Sequence, residues 1–192
     1  MAEPEARNVS DIRLLRVPDL AAGACCWLSQ VEEIFFTSST VQTFASAAER
    51  SAFRDRWLGR YLDHWPGSFL VALEPGGSVT GYLAGCLIDP ATHPLFADLG
   101  YVADFADLSA GYPAHLHINV HPDWRSAGIG AHLIEAFAAH AAQAGSPGMH
   151  IVTGRAARNV RFYERCGFRV LRSTRSPWGA AEIAFLGRSL AV

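Results

Sequence analysis

Apolar and polar positions change period several times along the chain, and each change marks an element. Ile12 to Arg16 reads as a short first strand. From Val17-Pro18-Asp19-Leu20, the residues Leu20, Ala24, Trp27, Leu28 and Val31 fall at helical spacing and predict a helix. A second helix is expected over Ala47 to Leu62, with Phe53, Trp57 and Tyr61 as an aromatic stripe suited to core packing. Ser68 to Glu74 and Val79 to Ile88 are apolar runs separated by Pro75-Gly76-Gly77-Ser78, a β-hairpin pattern. Asp89 to Pro113 is broken repeatedly by proline and glycine and reads as a long irregular segment. Such segments are either functional or simply packed against the surface.

The second half is more regular. Ala114 to Val120 alternates Leu116, Ile118 and Val120 with His115, His117 and Asn119, which is a strand. A helix over Ile129 to Gln143 has Ile129, Leu133, Ile134, Phe137 and Ala141 on one face and stops at Gly145-Ser146-Pro147-Gly148. Met149 to Val152, Arg169 to Thr174 and Ala181 to Leu190 read as strands, and Asn159 to Arg165 as a short helix stopped by Gly167. The turn between the last two strands falls at Pro177-Trp178-Gly179. This order predicts an α/β, or mixed α+β, domain rather than the regular strand–helix alternation of a dinucleotide fold.

Composition narrows the classes. With 192 residues, half of them hydrophobic and 18% charged, the chain reads as one globular domain over 1–192, its first ten residues polar and expected to be disordered. The formal net charge of −2 offers no field for nucleic acid or an anionic membrane. No apolar run is long enough to span a bilayer, and Met1 to Asn8 lacks the pattern of a signal peptide, so a cytoplasmic location is the default expectation. Cys25, Cys26, Cys86 and Cys166 have neither CxxC spacing nor the density of a disulfide scaffold and read as free thiols. All 16 basic residues are arginine, which excludes a Schiff-base lysine and a P-loop.

The most informative segment is Val120-His121-Pro122-Asp123-Trp124-Arg125-Ser126-Ala127-Gly128-Ile129-Gly130. A strand runs into an Arg-x-x-Gly-x-Gly turn that opens a helix. The first N–H groups of a helix lack internal partners and carry partial positive charge. Glycine lets main chain approach a pyrophosphate closely, and Arg125 can add a charge-assisted bond. The segment therefore reads as an anion site. A Gly-x-Gly alone is weak evidence, since any tight strand–helix turn can use it.

This segment resembles the acetyl-CoA pyrophosphate motif of the GNAT acetyltransferase superfamily. Asn159-Val160-Arg161-Phe162-Tyr163-Glu164-Arg165-Cys166-Gly167-Phe168 resembles that family's second signature, and the two occur in the family's order and separation. The resemblance implies a central mixed, mostly antiparallel sheet of about 6–7 strands flanked by about 4 helices. It implies acetyl-CoA as co-substrate and direct transfer of the acetyl group to an amine. Residue by residue, it implies main-chain pairing of Ile118 and Val120 with the pantetheine arm. It further implies a pyrophosphate cradle from Arg125, Ser126, Ala127, Gly128, Ile129 and Gly130, and a pantetheine contact from Asn159. Many members carry that asparagine seven residues before the tyrosine, where this chain has Ala156. Arg158 and Arg161 are placed to meet CoA phosphates, and Tyr163 near the thioester sulfur as general acid. The backbone N–H of Val120 could hold the developing oxyanion.

For the base, His115 and His117 lie on the strand entering the loop, near where members often carry glutamate; a sheet-bound histidine is the alternative for each. Asp104 and Asp107 are further candidates. His115-x-His117-x-x-x-His121 invites a metal reading, but no carboxylate or cysteine completes the set, and no metal is expected. The acceptor amine, small molecule or protein, is not legible. Phe96, Tyr101, Phe105 and Tyr112 are expected to shape its pocket, or equally a homodimer interface. Asp98, Asp104 and Asp107 would suit a cationic acceptor. His93-Pro94-Leu95-Phe96, Tyr112 to Asn119 and Leu186 to Leu190 are also similar to the acetyltransferase-like domain of O-GlcNAcase and its free-standing bacterial relatives. That likeness brings in a second reading, an acetyl-CoA-binding or protein-binding module without turnover.

Overall fold

A computed structural model of the chain describes residues 9–20 and 26–190. Seven strands form one sheet: β1 (Arg13–Arg16), β2 (Phe69–Leu73), β3 (Val79–Cys86), β4 (Ala114–Val120), β5 (Gly148–Gly154), β6 (Arg169–Arg175) and β7 (Glu182–Ser189), in the order β1-β2-β3-β4-β5-β7-β6. β4 and β5 are parallel, whereas β1–β2, β2–β3, β5–β7 and β6–β7 are antiparallel. The sheet is therefore mixed and mostly antiparallel, as the resemblance implied. The described residues pack as two compact units. Unit one runs to Ala84 and includes Ile118–Ile134; unit two comprises Gly85–His117 and the chain from Glu135 onward. The division falls within β3, within β4 and within the helix that follows β4.

In unit one, β2 and β3 are buried along their whole length, and Phe69 stacks on Tyr82 at 5.6 Å. The first helix, α1 (Trp27–Ser38), starts later than the spacing from Leu20 predicted. Val17–Asp19 forms only one 3-10 turn, which Leu20 ends by turning extended. Ala24 lies outside the described residues. The buried face of α1 is Val31, Ile34 and Phe35, an i, i+3, i+4 set one turn beyond the expected one. The second predicted helix is three joined pieces: α2 (Ala47–Arg54), a π turn over Asp55–Gly59 and α3 (Arg60–His64). Its aromatic stripe packs as expected, with Tyr61 fully buried and Phe53 5.4 Å from both Phe35 and Phe44.

In unit two the irregular segment is not open. It folds as short 3-10 turns and one helical turn, α4 (Ala106–Ser109), and buries Phe96, Leu99, Tyr101 and Phe105. Phe105 packs on Phe185 and Tyr101 on Trp178. These aromatics form core rather than an exposed patch, because β7 supplies an apolar surface for them to cover. After β4 comes α5 (Ile129–Gln143), whose predicted face of Ile129, Leu133, Ile134, Phe137 and Ala141 is buried throughout. The last helix is α6 (Asn159–Arg165), ended at Gly167 with φ of 83°. No helix among the described residues is long and apolar enough to cross a membrane.

Candidate functional site

The end of β4 is held against β3 by close main-chain approach. A Cβ on Gly81 would lie 3.0 Å from the Asn119 carbonyl oxygen and 3.3 Å from Val120 Cα. Asn119 Nδ2 donates to the buried Tyr82 hydroxyl at 2.7 Å, and the His121 N–H donates to Thr80 O at 2.9 Å. Burial pushes the Tyr82 phenol above its ordinary range. Ile118 and Val120 are half-buried. The register of β4 with β5 is limited to Ala114↔Met149 and His115↔His150, at the start of both strands.

Beyond Val120 the chain makes a turn whose own hydrogen bonds consume few donors. The N–H groups of Trp124, Arg125 and Ala127 bond back to His121, Pro122 and Trp124. Ser126, at φ 66°, and Gly128, at φ 87°, both adopt left-handed backbone; Ser126 is the non-glycine residue that does so among the described residues. The first bond of α5 runs from the His132 N–H to Gly128 O at 3.1 Å. The N–H groups of Ile129, Gly130 and Ala131 therefore precede any intrahelical partner. They add partial positive charge to a fifteen-residue helix N-terminus. Arg125 is exposed, donates to Ser38 Oγ at 3.4 Å, and has no carboxylate partner among the described residues. A pyrophosphate fits this donor set by charge and by hydrogen bonding. Of the six cradle residues expected, Arg125 and Ala127 have their N–H groups already engaged within the turn.

On α6, Asn159 is exposed, and its Oδ1 accepts from Thr153 Oγ1 at 3.1 Å. Arg158 and Arg161 are exposed. Tyr163 is buried, edge-on to Phe168 at 5.6 Å and tilted against Phe162 at 5.2 Å. Burial, with a smaller contribution from Cys166, raises its phenol pKa above the ordinary range, so the hydroxyl keeps its proton. Arg188 anchors the same region: it grips Glu135 of α5 bidentately at 2.6 and 2.8 Å and donates to Cys166 O at 2.9 Å.

The two histidines of β4 differ. His115 is buried edge-on to Phe96 at 4.7 Å, and 5.5 Å from His150, its register partner on β5. Burial first, then the neighbouring His150 and His117, hold its pKa well below the ordinary imidazole value. His150, which the sequence offered no reason to single out, stacks on Phe185 at 4.5 Å and hydrogen-bonds Tyr112 O through Nδ1. Burial lowers its pKa to about 4. Only the strand register, Ala114 with Met149, could have revealed this pair. His117 is half-buried. Of the acids, Asp107 takes a bidentate pair from Arg172 at 2.6 and 2.7 Å, and Arg172 also donates to Asp104 O. The hydrogen bonds from Arg172 hold the Asp107 carboxyl below its usual range. Its charge is thus countered within unit two by an exposed ion pair.

The acetyltransferase (GNAT) domain family matches residues 65–170, more than half of the chain. Solved structures agree over nearly the full length. SsHAT is 23% identical and superposes with a TM-score of 0.70, over 95% of this chain and 100% of that one. A GCN5-related N-acetyltransferase from Kribbella flavida is 17% identical, with a TM-score of 0.60 over 94% and 98% of the two chains. Salmonella typhimurium yncA, solved with its cofactor acetyl-CoA, is 18% identical, with a TM-score of 0.57 over 94% and 95%. At these identities the likenesses show the fold.

Proposed function

Because the chain belongs to the GNAT acetyltransferase family, we propose that it is an acetyl-CoA-dependent N-acetyltransferase that passes the acetyl group directly to an amine. The observation that carries this reading is the turn from Arg125 to Gly130. It opens α5 with N–H groups that lack intrahelical partners, two left-handed residues and a guanidinium with no carboxylate partner among the described residues. Acetyl-CoA would supply the activated acetyl thioester. The N–H groups of Ser126, Gly128, Ile129 and Gly130 would hold its pyrophosphate, with Arg125 as the charge partner. The main chain of Ile118 and Val120 would align the pantetheine arm, and the Val120 N–H would stabilise the developing oxyanion. Asn159 and Arg161, both exposed on α6, would make the remaining contacts.

Two proton steps have candidate residues. The acceptor ammonium must lose a proton, and His117 suits this better than His115. His117 is half-buried, whereas His115 is enclosed and disfavours the charged form. The departing thiolate must gain a proton, and Tyr163 holds one, which the second proton lost by the amine nitrogen as the amide forms would replace. The proton given up to the base then returns to solvent.

The second reading, acetyl-CoA binding without turnover, has its own support. Tyr163 and His115 are both enclosed, and burial opposes a change of charge on each. The narrower likeness to the O-GlcNAcase acetyltransferase-like domain belongs with that reading and rests on its short strings alone. Isothermal titration with acetyl-CoA and then CoA tests the loop. One-to-one binding is expected; none, with a folded protein, would end the transferase reading and leave only a protein-binding module. Amines screened by release of free thiol then separate transfer from binding.

A further inference from the structure

Unit one contains a cavity that acetyl transfer, as described, leaves unused. Its volume is about 500 Å3, and Phe36, Val41, Phe44, Ser46, Ala47 and Arg50 line it. The walls are fixed by local bonds. Gln42 donates through Nε2 to the carbonyls of Phe36 and Ser39. Ser46 Oγ accepts the Glu49 N–H at 3.1 Å, and the Glu49 carboxylate accepts the Ala45 N–H, a reciprocal cap that sets the head of α2. Phe44 meets Phe36 edge-on at 6.0 Å, and Val41 stays 39% exposed, unusual for a branched apolar side chain.

Arg50 gives the cavity its charge. Its guanidinium carbon sits 3.4 Å above the Phe36 ring. It has no carboxylate partner among the described residues, whereas Arg54, one turn on, is paired with both Glu32 and Asp55. Stacking covers a face of the guanidinium and leaves its in-plane N–H groups for a ligand. The acid next to it in sequence, Glu49, accepts the Ala45 N–H. The first turn of α2, starting at Ala47, adds its partial positive charge on the same side.

We propose that this cavity binds a small organic anion: a carboxylate on an aromatic or branched apolar body, with Arg50 as its charge partner and Phe36, Val41 and Phe44 against the body. The volume suits a ligand of amino-acid size, since small-molecule sites start at roughly 300 Å3. The end of α1 beside the site also touches the phosphate loop: Ser38 accepts from Arg125.

The test is calorimetric titration of the full chain with phenylacetate, acetate and phenethylamine. Phenylacetate should bind, and acetate and phenethylamine should each bind at least about tenfold more weakly, for lack of the body and of the negative charge. Arg50→Ala should weaken phenylacetate at least about tenfold, and Arg50→Lys should recover part of the loss. Acetyl-CoA affinity should be unchanged in Arg50→Ala, which also reports that the variant is folded. Unchanged phenylacetate affinity in Arg50→Ala, phenethylamine binding as tight as phenylacetate, or no phenylacetate binding would each overturn the proposal. A wild-type chain that bound phenylacetate but not acetyl-CoA would end the transferase reading and leave this site standing.

Discussion

Gly128 and Gly85 are both constrained glycines, but the constraints differ in kind. At Gly128 the nearest atoms to a Cβ among the described residues would be those of the Val9 side chain, at 3.8 Å, an ordinary contact, so the φ of 87° is the obstacle. Gly128→Val forces a β-branched residue into left-handed backbone, at a cost of roughly 1–2 kcal/mol or a rearranged turn. Either way the donors move, and acetyl-CoA affinity should fall at least about tenfold by calorimetry while the circular dichroism spectrum holds. At Gly85 the obstacle is space: a Cβ would lie 2.3 Å from Cε2 of the fully buried Phe137. Gly85→Ala should therefore cost about 1–3 kcal/mol in urea unfolding. Tyr163 is a third kind of case. If it is the general acid, Tyr163→Phe should lower kcat about a hundredfold or more with little change in KM. Because its pKa is raised, no descending limb from this phenol should appear below about pH 10.

Elements whose pattern is local were readable, and those decided by distant packing were not. β4 over Ala114–Val120, α5 over Ile129–Gln143 and α6 over Asn159–Arg165 match the predicted spans, because period and end signals agree in each. The start of α1 was misplaced because Leu20 fits a helical period although its backbone is extended, while the helix buries Ile34 and Phe35 one turn further on. The π turn at Asp55–Gly59 has no sequence signal, since Phe53, Trp57 and Tyr61 fit an unbroken helix. The Arg125–Gly130 turn was legible because glycine marks special backbone. The left-handed Ser126, the His115–His150 pair and the Arg50 cavity were not, because each depends on a neighbour remote in sequence or on a backbone angle serine does not announce. Ser46 caps α2 by accepting the Glu49 N–H and marks one side of that cavity. Arg188 links elements that no local pattern joins: β7, the end of α6 and α5. Arg188→Gln should cost about 1 kcal/mol in urea unfolding, mostly through the lost bond to the Cys166 carbonyl, because the Glu135 carboxylate is exposed and returns to solvent.

For the whole molecule, acid sensitivity follows from the buried histidines of unit two. His150 is enclosed by Phe185, by His115 and by the Tyr112 carbonyl, with Asp89 contributing a weak stabilisation of its charged form. His115 faces Phe96, His150 and the neighbouring His117. Both are neutral when folded, with His150 titrating near pH 4 and His115 well below its ordinary value. Unfolded, each titrates near pH 6.5. Between those limits the unfolded chain binds more protons, so stability rises with pH there. The contribution is complete above about pH 6.5, shrinks as pH falls, and is gone once pH passes below the folded pKa values. For His150 alone the loss is on the order of 3 kcal/mol. Urea unfolding at about pH 7, 5.5 and 4.5 should show this decline. His150→Gln keeps an amide donor for the Tyr112 carbonyl but cannot charge. It should be less stable than wild type at pH 7, through lost stacking on Phe185, and yet decline less steeply toward acid. Equal slopes in the two proteins would move the acid sensitivity to groups other than His150.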